Sequence, residues 1–170
     1  MSDEKRAKLT LPAEDQILIT REFDAPRNLV YKAWTTPELV ARWWTARRGT
    51  AKGMEIDLRV GGRWRYAMEM PDGQEVAFHG EYREIVANER IVSTEVFEGA
   101  PLPPEELEPN ATVNTITFAE GEGGRTVVTM LIQCPSPEVR EAILASGMED
   151  GLQDALDLLE EVAREISHPR

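Results

Sequence analysis

Residues 16–23 alternate apolar and polar positions, with Ile17, Ile19 and Phe23 on one face and Thr20 and Glu22 on the other. That period of two is the mark of a half-buried strand. Asp24-Ala25-Pro26 ends it and starts a helix, with Asp24 expected as N-cap and Pro26 in the first turn. Leu29, Val30, Ala33 and Trp34 follow at helical spacing. Thr36-Pro37-Glu38 opens a second short helix, with Thr36 as cap, carrying Leu39, Val40 and Trp43. Residues 54–60 read as a strand broken by Gly61-Gly62. Residues 63–70 give the clearest alternation, with Trp64, Tyr66, Met68 and Met70 opposite Arg63, Arg65 and Glu69.

Pro71-Asp72-Gly73 carries turn chemistry. Residues 75–86 form the next strand, with Phe78, Gly80 and Tyr82 on one face; Ile85 is out of phase, which predicts a bulge. Residues 90–98 form a strand whose inward face the pattern does not assign. A Pro-rich acidic loop over 99–110 follows. Residues 112–119 and 125–134 pair around Gly121-Glu122-Gly123-Gly124, with Ile116, Phe118, Val128, Met130 and Ile132 inward. One long helix is predicted from about Pro137 to Ile166, with Leu144, Met148, Leu152, Ala155, Leu159, Val162 and Ile166 on its apolar stripe. Strands closed by a helix indicate an α+β fold, one antiparallel sheet curled around the terminal helix. Residues 1–14 are polar and aperiodic and are expected to be a flexible tail, leaving a single domain over 15–167.

The chain has 170 residues and a net charge of −12, which argues against nucleic-acid binding, where a basic footprint is needed. A signal peptide and a membrane-spanning run are both lacking, so a cytoplasmic protein is expected. One cysteine, Cys134, excludes an internal disulfide, and with two histidines a Cys/His metal site lacks ligands. Neither a metal nor a cofactor is expected.

Three of the four tryptophans, Trp34, Trp43 and Trp44, crowd into the two short helices and need a partner surface or a cavity to line. Gly147, Gly151 and Ala155 recur every four residues on the terminal helix, so that helix either packs tightly on the sheet or leaves a void. The flexible, bulky side chains of the facing strands favour a lined pocket. Tyr66, Tyr82, His79, Asn114 and Thr115 are its candidate polar groups, although alternation puts His79 on the outer face. Glu81, Glu84 and Glu95 read as exposed charges on the convex face, and Cys134 as a structural thiol. No catalytic residue is assigned.

Phe23-Asp24-Ala25-Pro26, Val30-Tyr31-Lys32-Ala33-Trp34, Thr36-Pro37-Glu38, Trp43-Trp44, Gly61-Gly62-Arg63-Trp64 and Gly80-Glu81-Tyr82-Arg83-Glu84-Ile85 stand in an order that resembles one known family. Glu89-Arg90-Ile91-Val92 and Gly147-Met148-Glu149-Asp150-Gly151 extend the match. The family is the activator of heat-shock-protein-ninety ATPase homologues, of the START-like (SRPBCC) superfamily. The resemblance covers residues 15–166 and implies a helix-grip fold, with a hydrophobic cavity between a curved antiparallel sheet and a long C-terminal helix. Many relatives carry tryptophan where this chain has Leu152.

The leading expectation is a binding protein for a small hydrophobic or amphipathic molecule. Trp34, Trp43 and Trp44 would close one end of its cavity, while Trp64, Tyr66, Met68, Tyr82, Phe118, Met130, Met148 and Leu152 line the wall. Two alternatives stand beside it: a co-chaperone-like module that binds a chaperone surface, and a cyclase or hydratase using polar groups of the pocket as acid or base. A homodimer is also carried as an expectation.

Overall fold

The computed structural model describes residues 7–46, 48–98 and 111–166. The loop expected over 99–110 lies outside the described residues. Eight strands form one antiparallel sheet: β1 (Lys8–Thr10), β2 (Gln16–Phe23), β3 (Thr50–Ile56), β4 (Arg63–Glu69), β5 (Glu75–Val86), β6 (Arg90–Phe97), β7 (Thr112–Glu120) and β8 (Thr126–Gln133). Their order is β1-β2-β8-β7-β6-β5-β4-β3. Helices α1 (Arg27–Thr35) and α2 (Pro37–Trp43) follow β2, and α3 (Pro137–Ala145) and α4 (Met148–Ile166) follow β8. The sheet curves around α4, which also packs along α1 and α2. This is the α+β helix-grip arrangement.

Alternation placed the concave face correctly on most strands. Ile17, Ile19 and Phe23 on β2, Ile116 and Phe118 on β7, and Val128 and Ile132 on β8 are all buried in one core. Cross-strand register ties them together, Ile17 opposite Ile132 and Phe118 opposite Val128. The bulge expected in β5 is a register shift between Tyr82 and Glu84. At Gly80, a Cβ would stand 1.8 Å from the Thr94 carbonyl oxygen and 2.6 Å from the Trp64 indole nitrogen, so only glycine fits.

Four local expectations are corrected. Residues 8–10, inside the stretch expected to be a tail, pair with β2, and Ala7 is buried with its backbone N–H and C=O both bonded to the Gln153 side chain. The strand expected over 54–60 runs from Thr50 to Ile56, because Gly61 turns back with φ +84° to bond Tyr82. The N-cap of α1 is Pro26, not Asp24, whose backbone N–H is taken by the Glu160 carboxylate. Thr36 does cap α2, yet its side chain makes no capping bond. The single terminal helix is two helices, because Gly147 adopts φ +82° and ends α3. Gly147 therefore turns the chain between the two helices, and a Cβ at Gly151 would stand 3.7 Å from the Arg48 guanidinium carbon rather than against the sheet.

Candidate functional site

The tryptophan pair of α1 and α2 seals one end of the concave face. Trp34 and Trp43 stack at 5.3 Å between centroids, and Trp34 meets Phe118 edge-on at 5.6 Å. Tyr31 meets the same Phe118 at 5.4 Å, and the Trp43 indole N–H donates to the Ala33 carbonyl at 2.9 Å. Phe118 keeps 2% of its surface and Phe23, Val30 and Leu159 none. Arg21 is also buried here, on the concave face of β2. Its guanidinium donates to Asp157 at 2.6 Å, lies 3.6 Å from Glu160, and caps the Phe23 ring at 4.9 Å. That ion cluster pins the C-terminal half of α4 to the sheet, and removing its carboxylates would leave the buried Arg21 charge in surroundings that penalise it.

On β4 and β5 and at the start of α4 the inward side chains stay half-buried, whereas Ile17 and Ile132 at the same end of β2 and β8 are buried. Trp44, Tyr66, Met68, Phe78, Met130, Met148 and Leu152 all keep part of their surface. Trp44 lies edge-on to Tyr66 at 5.5 Å and to Phe78 at 5.7 Å, and Tyr66 stacks on the buried Trp64 at 4.7 Å. The residues expected to line a wall thus divide. Trp34, Trp43, Trp64, Tyr82 and Phe118 are buried in the core, whereas Trp44, Tyr66, Met68, Met130, Met148 and Leu152 are half-exposed.

A polar cluster that the sequence reading missed stands among the half-exposed group. On β6 the concave face belongs to Ile91, Ser93 and Glu95, opposite Ile116, Asn114 and Thr112 of β7. Glu95, expected on the convex face, therefore points inward and accepts a hydrogen bond from Asn114 Nδ2 at 3.0 Å. Asn114 was correctly placed inside, but Thr115, the next residue, faces the other side. Burial holds the Glu95 carboxyl above the usual carboxylate range, against the opposing pull of the Asn114 bond. Burial likewise pushes Tyr66 well up, helped by the fields of Tyr82 and Glu95, and raises Tyr82. Glu95 and Tyr66 are thus desolvated by surrounding protein while keeping accessible surface.

The convex face has different chemistry. An open cleft of about 790 Å³ beside β3–β6 is lined by Ile56, Trp64, Gly80 and Val96 together with the charged or polar Glu55, Asp57, Arg63, Arg65, His79 and Glu98. Arg65 grips Glu98 through two bonds of 2.9 and 3.0 Å, and His79 reaches the same carboxylate at 2.9 Å. The Arg65 bond holds Glu98 below the usual carboxylate range. These groups satisfy one another as a solvated network, and His79 faces outward as the alternation predicts. Cys134 is buried in the core, and burial pushes its thiol up, away from the reactive thiolate. Among the described residues, no group of three His, Cys, Asp or Glu is placed to hold a metal, and no helix is long and apolar enough to cross a membrane.

Comparison with known folds places this geometry. A protein from Nitrosomonas europaea superposes with a TM-score of 0.80 at 24% identity, over 92% of this chain and 99% of the other. One from Chromobacterium violaceum gives 0.71 at 28%, over 90% and 99%. The AHSA1-like protein from Aeromonas hydrophila gives 0.65 at 24%, over 90% and 99%. No curated protein matches the chain. The family model described as Activator of Hsp90 ATPase homolog 1-like protein matches residues 24–164. With that match spanning most of its length, the chain belongs to the Activator of Hsp90 ATPase homolog 1-like family, whose helix-grip fold is of the START-like kind.

Proposed function

We propose that this protein binds a small hydrophobic or amphipathic molecule between the concave sheet and the start of α4. One observation carries the reading: the inward-facing Tyr66, Met68 and Phe78 of β4 and β5, with Met148 and Leu152 of α4, remain half-buried, although the core around Phe118 and Ile17 is packed solid. Proteins bury such surface at about 25 cal/mol per Å², so an interior face left partly bare favours a guest. Methionines at Met68, Met130 and Met148 supply walls that adapt to the guest's shape. The Trp34–Trp43 pair closes the far end, and Trp44 stands at the open side.

Titration of intrinsic tryptophan fluorescence with apolar ligands tests this, because Trp44 and Trp64 flank Tyr66. Saturable quenching by at least one chain or ring compound is expected. Silence across aliphatic and polycyclic ligands alike would remove the reading. Glu95 also gives a foothold to the alternative of a cyclase or hydratase, which requires a desolvated carboxyl. Native mass spectrometry separates the two: a binding protein returns an added ligand unchanged, whereas an enzyme alters its mass.

A further inference from the structure

A desolvated carboxylate lacking a cationic partner is an unusual thing to leave in an apolar interior. Among the described residues, Glu95 receives a hydrogen bond from Asn114, burial is the largest influence on it, and no arginine, lysine or histidine is seen to offset that cost. Arg21, the buried cation of the concave face, sits at the sealed end and is already held by Asp157 and Glu160. Asn114 adds a second acceptor. A carboxylate only accepts, so the Asn114 amide must turn its nitrogen toward Glu95. Its oxygen, Oδ1, is then buried with no hydrogen-bond partner among the described residues. Two acceptors on adjacent strands therefore converge where the described residues supply no donor to Asn114 Oδ1. Glu95 also acts on Tyr66 of β4 and on Cys134 after β8, and the cation that acts on Cys134, Arg140, is held by Glu141 and the Ala13 carbonyl.

We propose that Glu95 and Asn114 form the polar anchor of the binding site, and that the ligand they select is an amphipathic primary amine bound as its ammonium ion. This rests on the binding function proposed above and names the class of ligand. An ammonium carries three N–H donors, enough for the Glu95 carboxylate and Asn114 Oδ1 together, and it supplies the missing countercharge. Its apolar body would lie along the half-buried wall of Tyr66, Met130 and Leu152. An anionic head group meets Glu95 and a chain of net charge −12, and is rejected.

Three probes of equal chain length decide it: dodecylamine, dodecanol and dodecanoate, titrated at neutral pH below their aggregation limits with tryptophan fluorescence as the readout. The amine is expected to bind about tenfold tighter than the alcohol, the increment of one charge-assisted hydrogen bond, with the carboxylate weakest. Glu95→Gln keeps the shape and should bring the amine to within about twofold of the alcohol, leaving the alcohol unchanged. Glu81→Gln, an exposed site, removes the same charge from the surface and should keep the preference. A preference that survives Glu95→Gln, or that disappears equally in Glu81→Gln, overturns the anchor. Alcohol and carboxylate binding without any advantage for the amine overturns it while the binding function stands. If none of the three quenches, both fall together.

Discussion

The two ends of the concave face are built from the same kinds of side chain and behave differently. At the sealed end, Trp34, Trp43, Tyr31 and Phe118 interlock edge to face, and an ion cluster on Arg21 ties down the C-terminal half of α4. At the other end, Trp44, Tyr66, Phe78 and three methionines face inward without closing up, beside a carboxyl that burial has made reluctant to ionise. Packing at native density tolerates almost no void, so the first region reads as core, contributing to stability. The second gives up part of that stabilisation, and incompletely buried apolar walls around a polar pair are the usual composition of a ligand site. The turn at Gly147 lets α3 depart from the line of α4.

Substitutions at the two ends give the sharpest way to break the comparison. Phe118→Ala is expected to cost about 4 kcal/mol in denaturant unfolding, the transfer and cavity cost of a fully buried ring. Leu152→Ala should cost below about 2 kcal/mol, because its side chain is already half-exposed. Equal losses would mean that both ends are core. A test of opposite sign is Leu152→Trp. If space lies in front of Leu152, the larger ring fills it, raises stability by about 1 kcal/mol and weakens ligand quenching. In a packed interior the same change costs about 1–3 kcal/mol through strain.

The smallest effect is in the pH dependence of stability. The folded state holds Glu95 above its unfolded pKa, so between those two values the native chain binds the extra proton. Stability from this group is then complete below the unfolded carboxylate range, declines as pH rises through the window, and is level above the folded value. Thermal melting of the wild type and Glu95→Gln across that window should show the variant gaining relative stability as pH rises. A constant difference would place Glu95 in solvent and move it out of the anchor.

Much of this was legible along the chain. On β2 and β4 one face is mostly apolar and the other mostly polar, so period two alone assigns the core there. On β6 the pattern fails: Ile91, Ser93 and Glu95 oppose Val92, Thr94 and Val96, and the more apolar set is the one that faces out. Val96 and Thr94 are nonetheless buried, since neighbouring strands and their side chains cover the outer face there. A search for an inward partner of Asn114 would have been the one available signal for Glu95.

Local chemistry therefore determined the elements, the antiparallel α+β architecture, the tryptophan plug and the family, because periodicity, proline and glycine act over a few residues. Cross-strand register and helix docking decided the rest. They brought Glu95 beside Asn114, 19 positions apart, and put Arg21 under Asp157, 136 positions away. They also turned one expected helix into two at Gly147. Such pairings depend on which strand lies beside which and on how closely a helix approaches, and neither is encoded in the spacing of residues on a single segment.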